Sequence, residues 1–400
     1  MGKEVLMPWR ETCAMEERLK LLLEWDGGDI SVSELCRHYG ISRKTGYKWL
    51  HRYRSEGAGG LSDRSRAPLH HPQAMGAAVE AAVLEVRLRY PSWGAKKIRA
   101  HLERQQPDSR WPAVSSIGEL LRRAGLTVPR RRRLRAPPRT APFAGCDAPN
   151  AVWCIDFKGW FQLGDGTRCD PLTLADASSR YLLRCQALAK TDGGHVWPLL
   201  DAAFREYGLP LVIRSDNGPP FASVSVGGLS PLAVKLVKAG VMPERIDPGQ
   251  PQQNGRLERL HLTLKQETAM PPAANLRAQS RRFRNFRHIY NDIRPHEALG
   301  QTPPAEHCTA SPRKYSGRLT TPDYPDHWHR RRARSNGAIK WHGRTIYISE
   351  ALTGELLGLE EGDDGFFTLC FGPVMLGAIA PDGTLQRPKR KTRRAKPVRG

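Results

Sequence analysis

The stretch Trp153-Cys154-Ile155-Asp156-Phe157 reads as a β-strand, and its period of two sets Asp156 on the face opposite Ile155 and Phe157. An acidic residue inside such a strand is unusual. Working outward, residues 152–163, 171–175, 181–187 and 211–215 are apolar or β-rich, and Gly164-Asp165-Gly166 supplies a hairpin turn. Helical patterns occupy roughly 195–207, 231–239 and 252–268. Three early strands, then helix, strand and helices, predict a mixed sheet covered by helices, an α/β core placed at residues 146–310.

Upstream, helical periodicity dominates the first 125 residues in two punctuated units, 1–66 and 67–128, each patterned as a helix-turn-helix. In the first, Leu19, Leu22 and Leu23 give an apolar stripe, and Gly27-Gly28-Asp29 breaks the helix. Ser31 to Glu34 then has capping-box spacing, Gly40 makes the turn, and a second capped helix starts at Ser42. That helix carries Arg43, Lys44, Lys48 and Arg52 beside Trp49 and Leu50, the layout of a DNA-reading helix; an amphipathic surface helix with solvated cations is the plainer alternative. In the second unit Trp93-Gly94-Ala95-Lys96-Lys97-Ile98 opens one helix, and Ser116 to Glu119 reads as the cap of the next. Residues 129–145, with Arg131 and Arg132 in a run of arginines and prolines, read as a basic linker that tracks phosphates or is simply solvated. Downstream lie a linker at 311–335, a small β-barrel-like domain at 336–385 and a basic tail at 386–400.

Of the 400 residues, 63 are Lys or Arg against 40 Asp or Glu, a net charge of +23 that calls for a polyanionic partner. A nucleic-acid phosphate backbone, taken as that of double-stranded DNA, is the expected one, and a merely basic solvated surface, a ribosomal protein or a membrane-surface protein is the alternative. The eight cysteines are scattered without a C-x-x-C pair, which argues against a disulfide framework or a structural zinc site. The opening residues lead into no apolar signal region, and no stretch approaches the roughly 18 apolar residues of a membrane span. A cytoplasmic protein that works on the chromosome, without a membrane partner, is therefore expected.

Three carboxylates sit at informative places. Asp156 is in its strand, and Asp216 ends the apolar strand Leu211-Val212-Ile213-Arg214-Ser215, where the following Asn217-Gly218 permits a tight turn. Glu258 lies near the start of a helix whose buried stripe is Leu257, Leu260 and Leu264, leaving Glu258, His261 and Lys265 on an adjacent face. Taken singly, each has a duller explanation: a strand-end cap, a turn-forming aspartate, a solvated helix glutamate.

Together with their surroundings they resemble a known family. Trp153-x-x-Asp156, Ser215-Asp216-Asn217-Gly218-x-x-Phe221, Asn254-Gly255-x-x-Glu258-Arg259 and Tyr290-Asn291-x-x-Arg294-Pro295-His296 are similar, in order, to motifs of DDE insertion-sequence transposases and retroviral integrases. The resemblance covers roughly residues 30 to 310, and the twin helix-turn-helix units fit its bacterial insertion-sequence branch. It implies a ribonuclease-H-like catalytic core in which Asp156, Asp216 and Glu258 are the catalytic, metal-binding triad. Such chemistry needs hard oxygen ligands for two ions of Mg2+ or Mn2+, about 3.5 to 4 Å apart, and no zinc. Asp156 would bridge both ions, with Asp216 and Glu258 each completing one shell. Arg259 and Lys265 would grip DNA beside them, or serve as ordinary surface cations. The implied reaction is 3′-end cleavage at terminal inverted repeats and strand transfer into target DNA, by a homo-oligomer in a synaptic complex.

One departure is the interval from Asp216 to Glu258, which is longer than the family's usual one; the excess fits a loop at 223–230, rich in Ser and Gly, and loop insertions cost little. Asp176 is left out of the triad as structural. The competing readings are a transposase-derived DNA-binding regulator with a non-catalytic core, and a nuclease that hydrolyses without joining.

Overall fold

A computed structural model describes residues 13–65, 75–127, 145–223, 225–247 and 255–387. The arginine-rich linker with Arg131 and Arg132, the approach to the Glu258 helix at 248–254 and the tail from 388 lie outside the described residues. The chain divides into two compact units, 1–74 and 75–400. Among the described residues no helix is long and apolar enough to cross a membrane.

The first unit holds three helices, α1 (Ala14–Asp26), α2 (Val32–His38) and α3 (Arg43–Glu56). The sequence places their ends well. Ser31 Oγ accepts from the Glu34 amide at 3.3 Å, and the Glu34 carboxylate accepts from the Ser31 amide at 3.1 Å, a closed capping box. Ser42 caps α3 through the Thr45 amide at 3.1 Å. Gly46 sits where α3 crosses α2, and a Cβ there would run into Cys36 Sγ. The apolar stripe of α1 differs from expectation: Leu21 and Leu22 are buried with Trp49, Leu50 and Leu61, whereas Leu19 and Leu23 are 40% and 61% exposed. The inward face runs Arg18, Leu21, Leu22, Trp25, and its first position is an arginine bonded to the Leu61 carbonyl, so hydrophobicity alone picks the wrong flank.

The second unit opens with α4 (Ala77–Arg89), α5 (Ala95–Gln105) and α6 (Val114–Arg123), closed around Val83, Trp93, Ile98, Leu102, Ile117 and Leu121. The cap expected at Ser116 to Glu119 is displaced: α6 starts at Val114, with Ala113 as N-cap and no side-chain cap. This bundle is not a separate head. Ile289 and Ile293 of the core pack on the same cluster, and Lys96–Glu297 (2.8 Å) and Arg104–Glu306 (2.5 Å) bridge the seam.

The core is a six-stranded mixed sheet of β1 (Val152–Phe157), β2 (Phe161–Gln162), β3 (Arg168–Asp176), β4 (Leu182–Leu188), β5 (Val212–Ser215) and β6 (Met242–Arg245), ordered β2-β3-β1-β5-β6 with β4 on β3. β1 is antiparallel to β3 and parallel to β5. Alternation divides its residues between two cores. Trp153 and Ile155 pack under α7 (Gly193–Tyr207) and α8 (Pro231–Lys238), while Val152 and Cys154 face Leu257, Leu260 and Leu264 of α9 (Gly255–Thr268) and Phe283 and Phe286 of α10 (Leu276–His288). Two of these elements are silent in the sequence. β6 is four residues, Met-Pro-Glu-Arg, held at the sheet edge by pairing with β5 rather than by an apolar pattern. α10 is dominated by arginine, and its buried residues are only Gln279, Phe283 and Phe286.

The C-terminal domain is a five-stranded antiparallel sheet ordered β13-β12-β11-β10-β7, with β7 (His329–Arg332), β10 (Leu356–Glu361), β11 (Phe367–Phe371), β12 (Val374–Ile379) and β13 (Leu385–Gln386), plus the hairpin of β8 (Ala338–Trp341) and β9 (Arg344–Tyr347). It begins inside the stretch read as a linker, because β7 is His-Arg-Arg-Arg, an exposed edge strand with no apolar signal. The described part of the loop at 223–230 is packed rather than free. Val226 and Leu229 are buried with Ala233, Val234 and Val237 of α8 against Leu357, Leu376 and Ile379, so this segment is the socket in which the C-terminal sheet sits. Lys238–Glu355 at 2.7 Å fastens its rim.

Candidate active site

Asp156 emerges near the end of β1 on the α9 side, opposite Thr173 of β3, with its side chain 20% exposed. The parallel register pairs Val152 with Val212 and Cys154 with Arg214, so β1 and β5 run the same way and Asp156 and Asp216 both lie toward the C-terminal edge of the sheet, where Asp216 acts on the Asp156 carboxyl. Asp216 is fixed by the turn it starts. Its Oδ1 accepts from the Gly218 amide at 3.2 Å, and Asn217 Nδ2 donates to the Ile246 carbonyl at 2.8 Å, tying the turn to the end of β6. Glu258 is exposed in the first turn of α9, where a helix terminus favours negative charge.

The electrostatics single out Asp156. Burial, then Asp216, then Glu258 push its carboxyl up to about 7, against the Phe157 amide and Lys158, which act to lower it. Negative charge is thus crowded at one edge of the sheet and wants a cation. His261, placed with Glu258 on the face adjacent to the buried stripe, is itself buried: its Nε2 lies 2.7 Å from Thr173 Oγ1, and its Nδ1 lies 3.9 Å from Asp156. Burial and Lys158 drive the imidazole down to about 4, so it is neutral at pH 7 and forms no ion pair with Asp156 despite its proximity. Thr173 also donates to the Asp156 carbonyl at 3.3 Å, which leaves the imidazole to donate through Nε2.

Among the described residues no three His, Cys, Asp or Glu side chains close into a ready metal cage. The donor chemistry nonetheless fits a hard divalent cation: three carboxylates carry the charge, and burial pushes the neighbouring Cys154 thiol up to about 12, so no thiolate competes. Asp176 does other work. Buried in β3, it accepts from the Asn150 amide at 2.9 Å and the Ser179 amide at 2.7 Å.

The proposed DNA contacts divide. Arg43, Lys44 and Lys48 are exposed on α3, but Lys48 lies 4.2 Å over the Trp49 ring and Arg52, half-buried, 5.1 Å over it, sharing it with Arg18. Arg259 and Lys265 are exposed on α9. The Tyr290–His296 motif is structural: Asn291 pairs with both backbone groups of Leu182 at 2.8 and 3.0 Å, and Arg294 donates to Glu267 of α9 at 2.6 Å and to Ser92 at 3.2 Å. Sequence reasoning gave no part to Thr173 or Lys158. Only the i, i+3 spacing of Glu258 and His261 hinted that the imidazole belongs to the site.

Known proteins resemble the chain in the same places. A helix-turn-helix domain family matches residues 17–68 and a homeodomain-like domain family 45–121. Integrase core domain families match 147–251 and 239–304. The insertion element IS476 uncharacterized 39.2 kDa protein of Xanthomonas euvesicatoria is 28% identical over 253 residues, 62% of this chain and 70% of that protein. The insertion element IS407 uncharacterized 31.7 kDa protein of Burkholderia multivorans is 29% identical over 247 residues, 60% of this chain and 86% of that one. A solved structure of the HTLV-2 integrase catalytic core with magnesium is 16% identical, spans 40% of this chain and 97% of its own, and superposes with a TM-score of 0.32.

Proposed function

We propose that the chain, which is similar to insertion-element proteins and matches integrase core and helix-turn-helix domain families, is an active DNA transposase. In this reading it cleaves the 3′ ends of its element and joins them to target DNA, with Asp156, Asp216 and Glu258 as its catalytic residues. The observation that carries the proposal is the crowding at Asp156, whose carboxyl is held up to about 7 by burial, by Asp216 and by Glu258. A purely structural aspartate is paired with donors, as Asp176 is; Asp156 faces further carboxylates.

Asp156 near the end of β1 and Asp216 in the turn after β5 would offer oxygens to a shared ion, and Glu258 in the first turn of α9 would offer a third. These residues would hold two ions of Mg2+ or Mn2+, which when bound activate an oxygen nucleophile and stabilise the leaving oxygen of a phosphodiester. The chain's own part is positioning. The Gly218 amide holds the Asp216 carboxylate, and the neutral His261 fills the space behind Asp156 without neutralising it. In the first step water cleaves the strand, leaving a 3′-hydroxyl on the element end and a 5′-phosphate on the flank. In the second, that hydroxyl attacks a target phosphodiester, whose 3′-oxygen leaves. One bond is exchanged for another, with no ATP and no covalent protein intermediate. Arg43, Lys44, Lys48 and Arg52 would read the terminal repeats, Arg131, Arg132, Arg259 and Lys265 would hold backbone phosphates, and a homo-oligomer would bring two ends together. A labelled repeat-end duplex incubated with Mn2+ and a target plasmid tests this. Joined product supports the reading, nicking alone favours a nuclease, and binding without either favours a regulator.

A further inference from the structure

Immediately after Asp156 the chain leaves the sheet through Phe157-Lys158, turns at Gly159 with φ +85, and turns Trp160 outward with 61% of its surface exposed. Among the described residues it is the one tryptophan in the exposed class. Single exposed apolar side chains are common and carry no meaning by themselves, but this indole has a built setting. The Arg168 guanidinium lies 5.3 Å over the ring, and it is held there by two bonds, 2.6 and 3.0 Å, to Asp170, whose side chain is 4% exposed. A buried carboxylate thus fixes a surface arginine against a surface tryptophan. Beside them runs an open groove lined by Arg168, Asp170, Lys190, Asp192, Pro219 and Pro220, which reaches the turn that starts at Asp216. Lys158 is close enough to act on the Asp156 carboxyl.

We propose that Trp160 is a stacking platform for an unpaired nucleobase of the DNA strand being processed, with Arg168 setting the plane of the ring; the proposal rests on the transposase reading. Trp160 follows Asp156 by four positions, a reach of at most about 14 Å, or about four stacked base steps from a phosphate held at the carboxylates. An indole face accepts any base, and the cations around it suit a phosphate backbone rather than an apolar protein surface. Fraying a base beside the reacting phosphate gives the strand room to bend across the carboxylates, and stacking on Trp160 offsets the loss of pairing. The base could come from the element end or from the target, and the chemistry is the same for both.

The test uses the full chain with 2-aminopurine placed singly at each position near the element end, or near the joining site of the target. Wild type and Trp160→Phe should change the probe's fluorescence on binding at one position, Trp160→Ala should not, and the responding arm names the source. On fully paired DNA, Trp160→Ala should slow the reaction about ten-fold or more, and a mismatch that frees the same base should restore most of it. If no position distinguishes Trp160→Ala from wild type, or if the variant slows paired and mismatched DNA alike, the proposal is overturned. The fluorescence arm requires binding only, so it judges Trp160 even if wild type yields no joined product, the result that would sink the transposase reading itself.

Discussion

Acidification should weaken divalent-cation binding in a way that reports directly on Asp156. Its carboxyl titrates near 7, chiefly from burial and then from Asp216 and Glu258, and an ion can bind only the ionised form. Apparent affinity should therefore be level above pH 7 and fall ten-fold per unit below it; between pH 7.5 and 5.5 the loss is about 25-fold, roughly 2 kcal/mol. An ordinary aspartate, ionised across that window, would show almost no change, and His261, driven down to about 4, titrates below it. The metal-free chain should behave consistently. Because the folded carboxyl binds its proton more tightly than the unfolded one, stability falls as pH rises from about 4 to about 7, by up to roughly 4 kcal/mol relative to an ordinary aspartate. Mg2+ should return that stability above pH 7. Calorimetric Mg2+ titrations of the full chain at several pH values, in two buffers of different ionisation enthalpy, would measure both affinity and released protons. Equal affinity at pH 5.5 and 7.5, or the same pH dependence in Asp156→Asn, would refute the reasoning.

Three further outcomes follow from the same structure. Arg43→Ala and Lys44→Ala should each weaken terminal-repeat binding and reduce the salt slope by about 0.9, while Lys48→Ala, whose ammonium already rests on Trp49, should do less; a filter-binding salt titration checks this. Leu376→Ala should open a cavity against Val226 and Gly227 and cost about 2–5 kcal/mol, read as loss of C-terminal protection in hydrogen exchange. A zinc-selective chelator should leave thermal melting and strand transfer unchanged, and loss of the fold under it would contradict the carboxylate-only metal site.

The sequence disclosed those parts of the molecule whose residues answer to local rules. Caps at Ser31 and Ser42, the alternation of β1 and the turn after Asp216 are short-range chemistry, and they lie where spacing puts them. What stayed hidden depends on partners distant in sequence. β6 and β7 are edge strands held by pairing, and α10 buries two phenylalanines among arginines. The loop at 223–230 showed only its Ser/Gly composition, because its Val226 and Leu229 find apolar partners more than a hundred residues later. His261 did not show its burial for a related reason. On α9 it follows the exposed Glu258 by three residues, but Thr173 and Asp156 draw its ring into the sheet.

The most direct test of the account is strand transfer by Glu258→Gln measured beside wild type on a labelled repeat-end duplex, with Mn2+ and a target plasmid. Glu258 is exposed, so the substitution keeps side-chain volume and removes charge without disturbing a buried partner. The account predicts that end cleavage and joining are abolished while terminal-repeat binding survives, and that adding Asp156→Asn makes the result scarcely worse, because the carboxylates act as one unit. Joining by Glu258→Gln at a near wild-type rate would contradict it and leave α9 a structural helix.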